Sequence, residues 1–435
     1  MRKKPARCFF LLFVFLLVCI SGSCGRLSLG KKATNFILIT VDTLRADLLP
    51  CYGHPFPTAP RLCDLAAKST LFGRAISQSS WTLPGHASIL TGVYPHQHGA
   101  EQWQTPINSR YPLLSQILSQ KGYATAAFVC SDFVGKKYGF DRGFTIFDDS
   151  LGPGDKDATF AAGITEKALA WLKTGKPAKK PFLLWLHYFD PHHYFLPHEE
   201  LDYGSISRSQ RPGPVSYDQW NVHPVKREIP REILDQYYAL YSGEILFADR
   251  HIGLLLDYLE EAGLMKTTVL IVTSDHGESF NDHDLMGHDN LLYEDLIHVP
   301  LFIYVPGKAP LFDNRLTEIK DIMPTMLDLA GIRRPEYLAA GIFSKGRSVA
   351  YAEVHNRNQN RRLAVLQDKW KLIYTAEKEL FELYDLQADP HEKNNIAATN
   401  PAVVQDLKTA LFASMGIVEI DEKTKERLRS LGYLR

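Results

Sequence analysis

Three apolar runs, each followed by an acidic side chain, constrain the fold of this 435-residue chain more than any other feature. The runs read NFILITV, FLLWLHYF and TTVLIVTS, and they lead directly to Asp42, Asp190 and Asp275. Continuous apolar runs of this length are typical of strands that are buried on both faces of a parallel sheet. In open α/β sheets, functional sites lie beyond the carboxyl ends of such strands. The three acids are therefore expected at one edge of a sheet.

The remaining pattern predicts an α/β fold, with a large mixed, mostly parallel sheet flanked by helices and a small C-terminal antiparallel-sheet subdomain. Further buried strands are predicted at 123–130 and 299–305. Amphipathic or capped segments predict helices at 58–69, 112–122, 158–173, 230–263, 321–331 and 401–415. Short strand-like runs predict the second sheet at 348–354, 362–375 and 379–386. The polar stretch 201–229, with several Pro and Gly, predicts a long surface loop.

Composition limits the class of partner. The chain is 45% hydrophobic and 23% charged, which suffices for one large and one smaller domain. Its 49 basic and 49 acidic side chains cancel. We therefore expect no nucleic-acid partner and no attraction to an acidic membrane surface.

The N-terminal 24 residues have the layout of a secretory signal peptide. A basic start precedes an apolar run from Cys8 to Ile20 that is too short for a comfortable transmembrane span, and small residues follow. A retained membrane anchor is the alternative. The Ser-Gly-Ser before Cys24 loosely resembles a lipoprotein cleavage box, so a lipid anchor on that cysteine is a second expectation. The protein is thus expected to be exported to the periplasm or cell surface, with a catalytic domain at 34–331 and a subdomain at 332–435.

Six cysteines become three, Cys51, Cys63 and Cys130, once the leader is removed. Three scattered cysteines form neither a disulfide framework nor a spacing typical of metal ligands. At most, Cys51 pairs with Cys63.

Residues 79–92, SSWTLPGHASILTG, place a hydroxyl, a proline and an imidazole within five residues at Thr82, Pro84 and His86. Pro84 fixes φ and has no backbone donor, so it suits the first turn of a helix that the glycine at 92 ends. A side chain just before such a helix lies where free N–H groups favour an anion. A Ser- and Thr-rich turn that caps an ordinary helix fits the segment equally well.

Candidate metal ligands follow two of the predicted strands. Asp275 and His276 come directly after a β-branched run, so their carboxylate and imidazole can face one ion beyond the sheet edge. Asp42 is a third candidate, with a solvated turn aspartate as the alternative. Mixed oxygen and nitrogen ligands suit Zn²⁺ or Mn²⁺, whereas an all-oxygen site would suit Ca²⁺ better.

Histidines provide the remaining candidates. Asp190, His192 and His193 lie within four residues at a strand end, which is typical of a metal or anion site, although a polar turn with stacked aromatics is the alternative. His288 lies in a second polar segment, and a grouping of Asp190, His192 and His288 could hold a second ion. The ordinary pKa of histidine allows either anion binding or proton donation.

The order of these segments resembles the sulfatase family of the alkaline phosphatase superfamily over roughly residues 36–430. The family signature reads Cys or Ser, any residue, Pro, any residue, Arg, followed by a run like Ala-Ser-Leu-Leu-Thr-Gly. Here Thr82, Pro84 and His86 occupy the three key positions. The resemblance implies an alkaline phosphatase-like fold and one divalent ion, Ca²⁺, Zn²⁺ or Mn²⁺, at Asp42, Thr82, Asp275 and His276.

The resemblance also implies roles for the remaining residues. Thr82 would be a nucleophile activated by the ion, because a free threonine hydroxyl is a poor nucleophile near neutral pH. The catalytic residues His86, His192 and His288 would bind the oxyanion of the ester or protonate the leaving oxygen. The implied substrate is a sulfate or phosphate ester, with a glycan as a candidate carrier.

The chain departs from the family pattern at several positions. Thr82 replaces the Cys or Ser that is oxidised to formylglycine, and threonine is not a known substrate for that oxidation. Thr43 replaces the second of two adjacent aspartates, and the Lys-x-His usual near residue 130 is missing. Three hypotheses result: an ester hydrolase using unmodified Thr82, a phosphodiesterase or phosphotransferase acting on a lipid or glycan, and a catalytically inactive binding homologue.

The leader generates a first prediction. We expect the mature protein to begin near Ser23–Cys24, which mass spectrometry of its N-terminal peptide will test. A lipid-modified N-terminal Cys24 would establish the anchor, and a free N-terminus beyond Cys24 would exclude it. An uncut chain in the cytosol would contradict export itself.

Overall fold

The computed structural model describes residues 35–152, 160–174, 180–193, 195–207, 229–288, 291–344, 346–355 and 361–415. The predicted leader, Cys24 and most of the predicted loop at 201–229 lie outside these ranges. Within them, no helix combines the length and the apolar character needed to cross a bilayer.

The main sheet contains eight strands in the order β10-β2-β9-β6-β1-β5-β3-β4, and a pair of two-residue strands, β7 and β8, lies apart from it. The strands of these two groups are β1 (Asn35–Val41), β2 (Thr70–Ile76), β3 (Ala124–Cys130), β4 (Ile146–Leu151), β5 (Phe182–Tyr188), β6 (Thr268–Thr273), β7 (Ser279–Phe280), β8 (Met286–Gly287), β9 (His298–Tyr304) and β10 (Leu311–Glu318). Within the eight, β9 pairs antiparallel with both neighbours, and every other pairing is parallel. The prediction of a mixed, mostly parallel sheet is confirmed.

Helices cover both faces of this sheet. They are α1 (Pro60–Ala66), α2 (Thr82–Thr91), α3 (Pro95–His98), α4 (Leu114–Gln120), α5 (Phe160–Lys173), α6 (Tyr203–Ile206), α7 (Arg231–Glu261), α8 (Glu294–Ile297), α9 (Ile322–Ala330) and α10 (Pro401–Ser414). Alternate residues of the central strands divide between two apolar cores, one containing α2 and α9 and the other containing α5 and α7. The central strands are therefore buried on both faces, as their continuous apolar runs predict.

The apolar runs did not reveal every strand. β4 and β10 lie at the two edges of the sheet and β2 is next to β10, so each carries partly exposed polar residues in place of a continuous apolar run. The predicted strand at 362–375 is a hairpin of two strands, because the chain turns at Asp368, whose φ is 53°. The Cys51–Cys63 disulfide forms, and Cys130 is a buried free thiol.

The C-terminal sheet is an antiparallel meander of β11 (Val349–His355), β12 (Arg361–Gln367), β13 (Trp370–Thr375) and β14 (Leu380–Asp385). One face lies under α10 and forms a small core with it. Residues on the other face, such as Ala352, Ala364 and Ile373, belong to the same apolar core as α2 and the main sheet. The two sheets thus share a core.

A buried ion cluster also joins the two sheets. Lys371, on β13, is fully buried, and its Nζ lies 3.0 Å from Glu294 Oε1 and 2.9 Å from Glu392 Oε1. The Glu294 backbone N–H donates to Glu392 Oε2 at 2.6 Å. Because Glu294 begins α8, the C-terminal sheet supports the segment that follows His288.

The ion cluster generates a stability prediction. Lys371→Met would remove the cation from the buried Glu392 and the partly exposed Glu294, and breaking a buried ion pair typically costs about 3–5 kcal/mol of unfolding free energy. Lys369→Met is the matched control, because that lysine is two residues away on the surface and pairs with Asp385 at 2.5 Å. Chemical denaturation should show a large loss for Lys371→Met and little change for Lys369→Met. Equal effects would mean that the buried cluster does not stabilise the fold.

Candidate active site

The carboxyl ends of β1 and β6 bring together the predicted metal ligands. Asp42 follows β1, Asp275 lies two residues beyond β6, and these strands are direct neighbours in the sheet. Asp42, Asp275 and His276 are fully buried, and each offers one ligand atom within 4.8 Å of the others. Parallel pairing thereby joins residues that are more than 230 positions apart in the sequence.

Helix α2 brings Thr82 to the same place. Thr82 is the first residue of α2, and its Oγ1 lies 3.3 Å from His276 Nε2. The helix can approach because residue 85 is glycine: a Cβ there would lie 2.8 Å from the Asp275 carbonyl oxygen and 3.1 Å from its Cβ. The site thus has four potential ligands, all among the residues predicted from the sequence.

The donor set fits a divalent cation. His276 Nε2 lies 3.4 Å from Asp42 Oδ1 and 3.3 Å from Asp275 Oδ2. Both carboxylate oxygens of Asp42 and Oδ2 of Asp275 are buried without a hydrogen-bond partner. Buried carboxylate oxygens without partners are costly unless a cation neutralises them. His276 Nδ1 donates to the Gly277 carbonyl oxygen at 2.8 Å, which leaves Nε2 as the nitrogen with the lone pair.

The two carboxyl groups differ in their proton affinity. Burial raises the pKa of Asp42 well above its ordinary value, and the nearby Asp275 carboxylate raises it further. Burial opposes ionisation of Asp275 as well, but His276 and His86 outweigh it and hold the pKa of that carboxyl below its ordinary value. A proton and a cation therefore compete for Asp42.

His86 lies beneath the carboxylates. Its side chain is fully buried, and Nδ1 lies 3.0 Å from the Thr82 carbonyl oxygen and 3.2 Å from Asp275 Oδ2. Nε2 lies 3.2 Å from Thr40 Oγ1. Burial lowers the pKa of His86, but the Asp275 and Asp42 carboxylates raise it to a net value above the ordinary one. With both ring nitrogens engaged, His86 is placed to position Asp275.

His187 was not among the residues predicted from the sequence. It lies on β5 opposite Thr40 of β1, and its Nε2 is 3.4 Å from Asp42 Oδ2. Its ring packs edge-to-face against His86 with centroids 4.4 Å apart, and burial lowers its pKa well below the ordinary value. The one available signal was a histidine inside an otherwise apolar run, just before the strand ends.

His288 and His192 lie on the other side of His276. The His288 ring centroid is 4.5 Å from that of His276 and 5.0 Å from that of His192. His288 Nδ1 lies 3.2 Å from Glu278 Oε1, and burial raises the pKa of Glu278 to about 7. His192 Nδ1 donates to the His193 carbonyl oxygen at 2.8 Å. The structure thus brings both predicted histidines beside the metal-ligand cluster.

Asp190 has a different place. Its Oδ1 accepts a hydrogen bond from the Ala161 backbone N–H at 3.0 Å, next to the start of α5. Across the described ranges, the one grouping of three or more ligands that could hold an ion is Asp42, Asp275 and His276. The expected second ion at Asp190, His192 and His288 therefore has no preformed site in this structure.

Thr43, at the position of the family's second aspartate, does not join the cluster. Its φ is 56°, and its hydroxyl donates to the Pro191 carbonyl oxygen at 2.8 Å. The hydroxyl joins the end of β1 to the segment that follows β5.

Comparisons with known proteins agree over most of the chain. A family model described as sulfatase matches residues 34–332, and one described as N-sulphoglucosamine sulphohydrolase, C-terminal, matches residues 283–416. Arylsulfatase K from Bos taurus is 27% identical, with 89% of this chain and 82% of the bovine protein covered.

Solved structures show the same fold. A structure described as a complex with the substrate D-glucosamine-2-N,6-O-disulfate has a TM-score of 0.74 and 20% identity, covering 90% of this chain and 99% of that one. The phosphonate monoester hydrolase of Agrobacterium radiobacter has a TM-score of 0.72 and 21% identity, covering 87% of this chain and 95% of its own. Both support the alkaline phosphatase-like fold.

The orphaned carboxylates generate a prediction about metal removal. A bound ion at 100 times its dissociation constant stabilises the folded state by about 2.7 kcal/mol, so a chelator should lower the melting temperature of the wild-type protein. Asp275→Asn should abolish this response. Asp249→Asn is the control, because Asp249 is a buried carboxylate that accepts backbone N–H groups of Arg61 and Leu62 elsewhere.

The raised pKa of Asp42 fixes the direction of the pH dependence. A carboxyl group whose folded-state pKa is raised stabilises the metal-free fold at low pH and loses that contribution as the pH rises. The proton also competes with the ion. The effect of the chelator should therefore shrink between pH 8 and pH 5, and a larger effect at pH 5 would contradict the assignment.

Proposed function

The chain belongs to the sulfatase family, and we propose that it is a metal-dependent hydrolase of sulfate esters whose nucleophile is the unmodified hydroxyl of Thr82. Its family match covers residues 34–332, more than half of the chain. The observation that carries the proposal is the position of Thr82 Oγ1, 3.3 Å from His276 Nε2, at the cluster of Asp42, Asp275 and His276.

The ligand cluster would hold the ion through Asp42, Asp275, His276 and Thr82. A divalent ion bound there supplies positive charge that favours the ionised hydroxyl of Thr82 and offsets the charge on the ester oxygens. The mixed oxygen and nitrogen donors favour Zn²⁺ or Mn²⁺ over Ca²⁺.

Side chains of the protein then carry out the individual steps of the reaction. The Thr82 oxygen attacks the sulfur atom, the bond from sulfur to the alcohol oxygen breaks, and the leaving oxygen takes a proton from His288. Glu278 lies against His288 Nδ1 and would hold the ring in place for this proton donation. Water then attacks the sulfur atom of the Thr82 ester, the bond from sulfur to the Thr82 oxygen breaks, sulfate leaves, and a proton of the water returns to His288. His192, whose ring lies beside that of His288 and whose Nδ1 donates to the His193 carbonyl oxygen, is assigned to positioning His288.

We propose a sulfated glycan as the substrate class. The structural neighbour in complex with a disulfated glucosamine covers 90% of this chain, and a relative described as N-acetylglucosamine-6-O-sulfatase from Bacteroides thetaiotaomicron is 23% identical over 84% of it. The signal-like leader supports export, and an enzyme that acts on an extracellular glycan must be exported to reach its substrate.

Phosphate or phosphonate esters are the second candidate. A threonine nucleophile beside Asp and His ligands needs no formylglycine, and the fold is also that of a phosphonate monoester hydrolase. Comparing kcat/KM for matched aryl sulfates, aryl phosphates and phosphonate monoesters distinguishes the two classes.

Unmodified Thr82 generates the central prediction. The protein should be active when it is produced without a sulfatase-maturing enzyme. Thr82→Ala should lose several orders of magnitude in kcat/KM, because it removes both a nucleophile and a ligand. Thr82→Ser should retain part of the activity, since its hydroxyl occupies the same position.

The control for Thr82→Ala is Thr91→Ala, at the other end of α2. Thr91 is also buried, and its hydroxyl donates to the Ala87 carbonyl oxygen. Thr91→Ala should keep its activity once folding is verified by circular dichroism. An active Thr82→Ala protein, or a strict need for the maturing enzyme, would refute this assignment of the nucleophile.

A further inference from the structure

A short hairpin carries the residue to which we assign proton donation. Its two strands, β7 and β8, pair over only two residues each. Glu278 directly precedes this hairpin, which spans residues 279–287, and His288 directly follows it. An isolated two-stranded hairpin is marginally stable at best. Contacts with the rest of the protein must therefore fix the positions of Glu278 and His288.

Arg45 supplies one such contact from within the protein. Its side chain is 5% exposed, and its Nη1 donates to the Glu278 carbonyl oxygen and to Asp282 Oδ2, both at 2.9 Å. Asp282 Oδ2 also accepts a hydrogen bond from the Phe280 backbone N–H at 3.2 Å. The guanidinium therefore holds the hairpin both at its start and at its turn.

The other side of the same guanidinium is fixed beside β1. Its Nε and Nη2 donate to the two carboxylate oxygens of Asp47, at 2.9 and 2.8 Å. The Arg45 backbone N–H donates to Tyr241 Oη at 3.0 Å, and that hydroxyl donates to the Thr43 carbonyl oxygen at 2.7 Å. Arg45 follows Asp42 closely in the chain, so it connects the end of β1 to the hairpin.

We propose that Arg45 is a positioning residue of the active site, which fixes the hairpin so that His288 lies at the leaving oxygen of the ester. This proposal rests on the proposed function for the role of His288. The connection needs three donor nitrogens held in one rigid plane, which arginine has and lysine lacks. A displacement of about 1 Å in a catalytic group can cost about 100-fold in rate.

Arg45→Lys is the variant that tests the connection. It keeps a positive charge among Asp47, Asp282 and the buried Asp295, but one ammonium group cannot span Asp47 and the hairpin. The charge matters because burial raises the pKa of Asp295 to about 6 against the opposing effect of Arg45. If Arg45→Lys does not fold, Asp282→Asn takes its place, since it weakens the link to the hairpin and leaves Arg45 paired with Asp47.

Arg347→Lys is the matched control. Arg347 also pairs with two carboxylates, Glu318 at 3.1 Å and Asp321. Those partners lie at the end of β10 and at the start of α9, so this arginine connects other elements to the segment before β11.

The first readout is the dependence of kcat on the leaving group. Nitrophenolate leaves without a proton, whereas the more basic phenolate leaves faster when a proton is donated to it. Arg45→Lys should lower kcat about 10- to 100-fold for phenyl sulfate and much less for 4-nitrophenyl sulfate. In a His288→Gln background the same substitution should add little, because both residues then affect one step. Arg347→Lys should leave the ratio of the two kcat values unchanged.

The second readout does not depend on activity. Hydrogen exchange followed by mass spectrometry should show faster exchange of the backbone amides at 278–288 in Arg45→Lys than in the wild type. Exchange of the same amides should be unchanged in Arg347→Lys.

Equal losses for the two sulfates, an undiminished effect in the His288→Gln background, or unchanged exchange at 278–288 would each overturn the positioning role. A His288→Gln protein with the leaving-group dependence of the wild type would instead refute proton donation by His288. If the wild type hydrolyses neither sulfate, the proposed function fails, and the exchange measurement still decides whether Arg45 holds the hairpin.

Discussion

The active site depends on one unfavourable arrangement: two carboxylates, Asp42 and Asp275, are fully buried at the ends of adjacent parallel strands. Burial and mutual repulsion both disfavour their ionised forms. Neighbouring imidazoles offset part of this cost, because His276 lies against both carboxylates and His86 lies against Asp275. In the proposed function a cation would complete that neutralisation, and its charge would also favour the ionised hydroxyl that a threonine nucleophile needs.

Much of this site could be predicted from the sequence because its residues occupy the ends of continuous apolar runs. Such runs identify central strands, and parallel strands bring their carboxyl ends to one edge, so Asp42 and Asp275 were expected together. Thr82 and His288 required the family resemblance, because a Ser- and Thr-rich turn and a polar loop have no distinctive periodicity. The edge strands β4 and β10 were missed for the opposite reason, since partial exposure breaks up the apolar run that would have revealed them.

The contacts of His187 could not be predicted, because they depend on how β5 is aligned with β1. A histidine within FLLWLHYF is consistent with an ordinary core residue until β5 is aligned with β1, which places it opposite Thr40, 147 positions away. His86 shows the same limit. The family resemblance implied that it binds the oxyanion or protonates the leaving oxygen, whereas its ring nitrogens lie against Thr40 and Asp275. The sequence pointed to His86 as a functional residue but did not reveal the side of the carboxylates on which it lies.

The shared core of the two sheets has a consequence for how this architecture can be divided. The C-terminal meander covers the main core with residues such as Ala352 and Ile373, and Lys371 reaches the segment between His288 and β9. A fragment ending near residue 331 would expose that apolar surface and leave Glu294 without its cation. The region with the candidate catalytic residues is therefore not a transplantable module, and recombination with other scaffolds must carry both sheets as one cooperative unit.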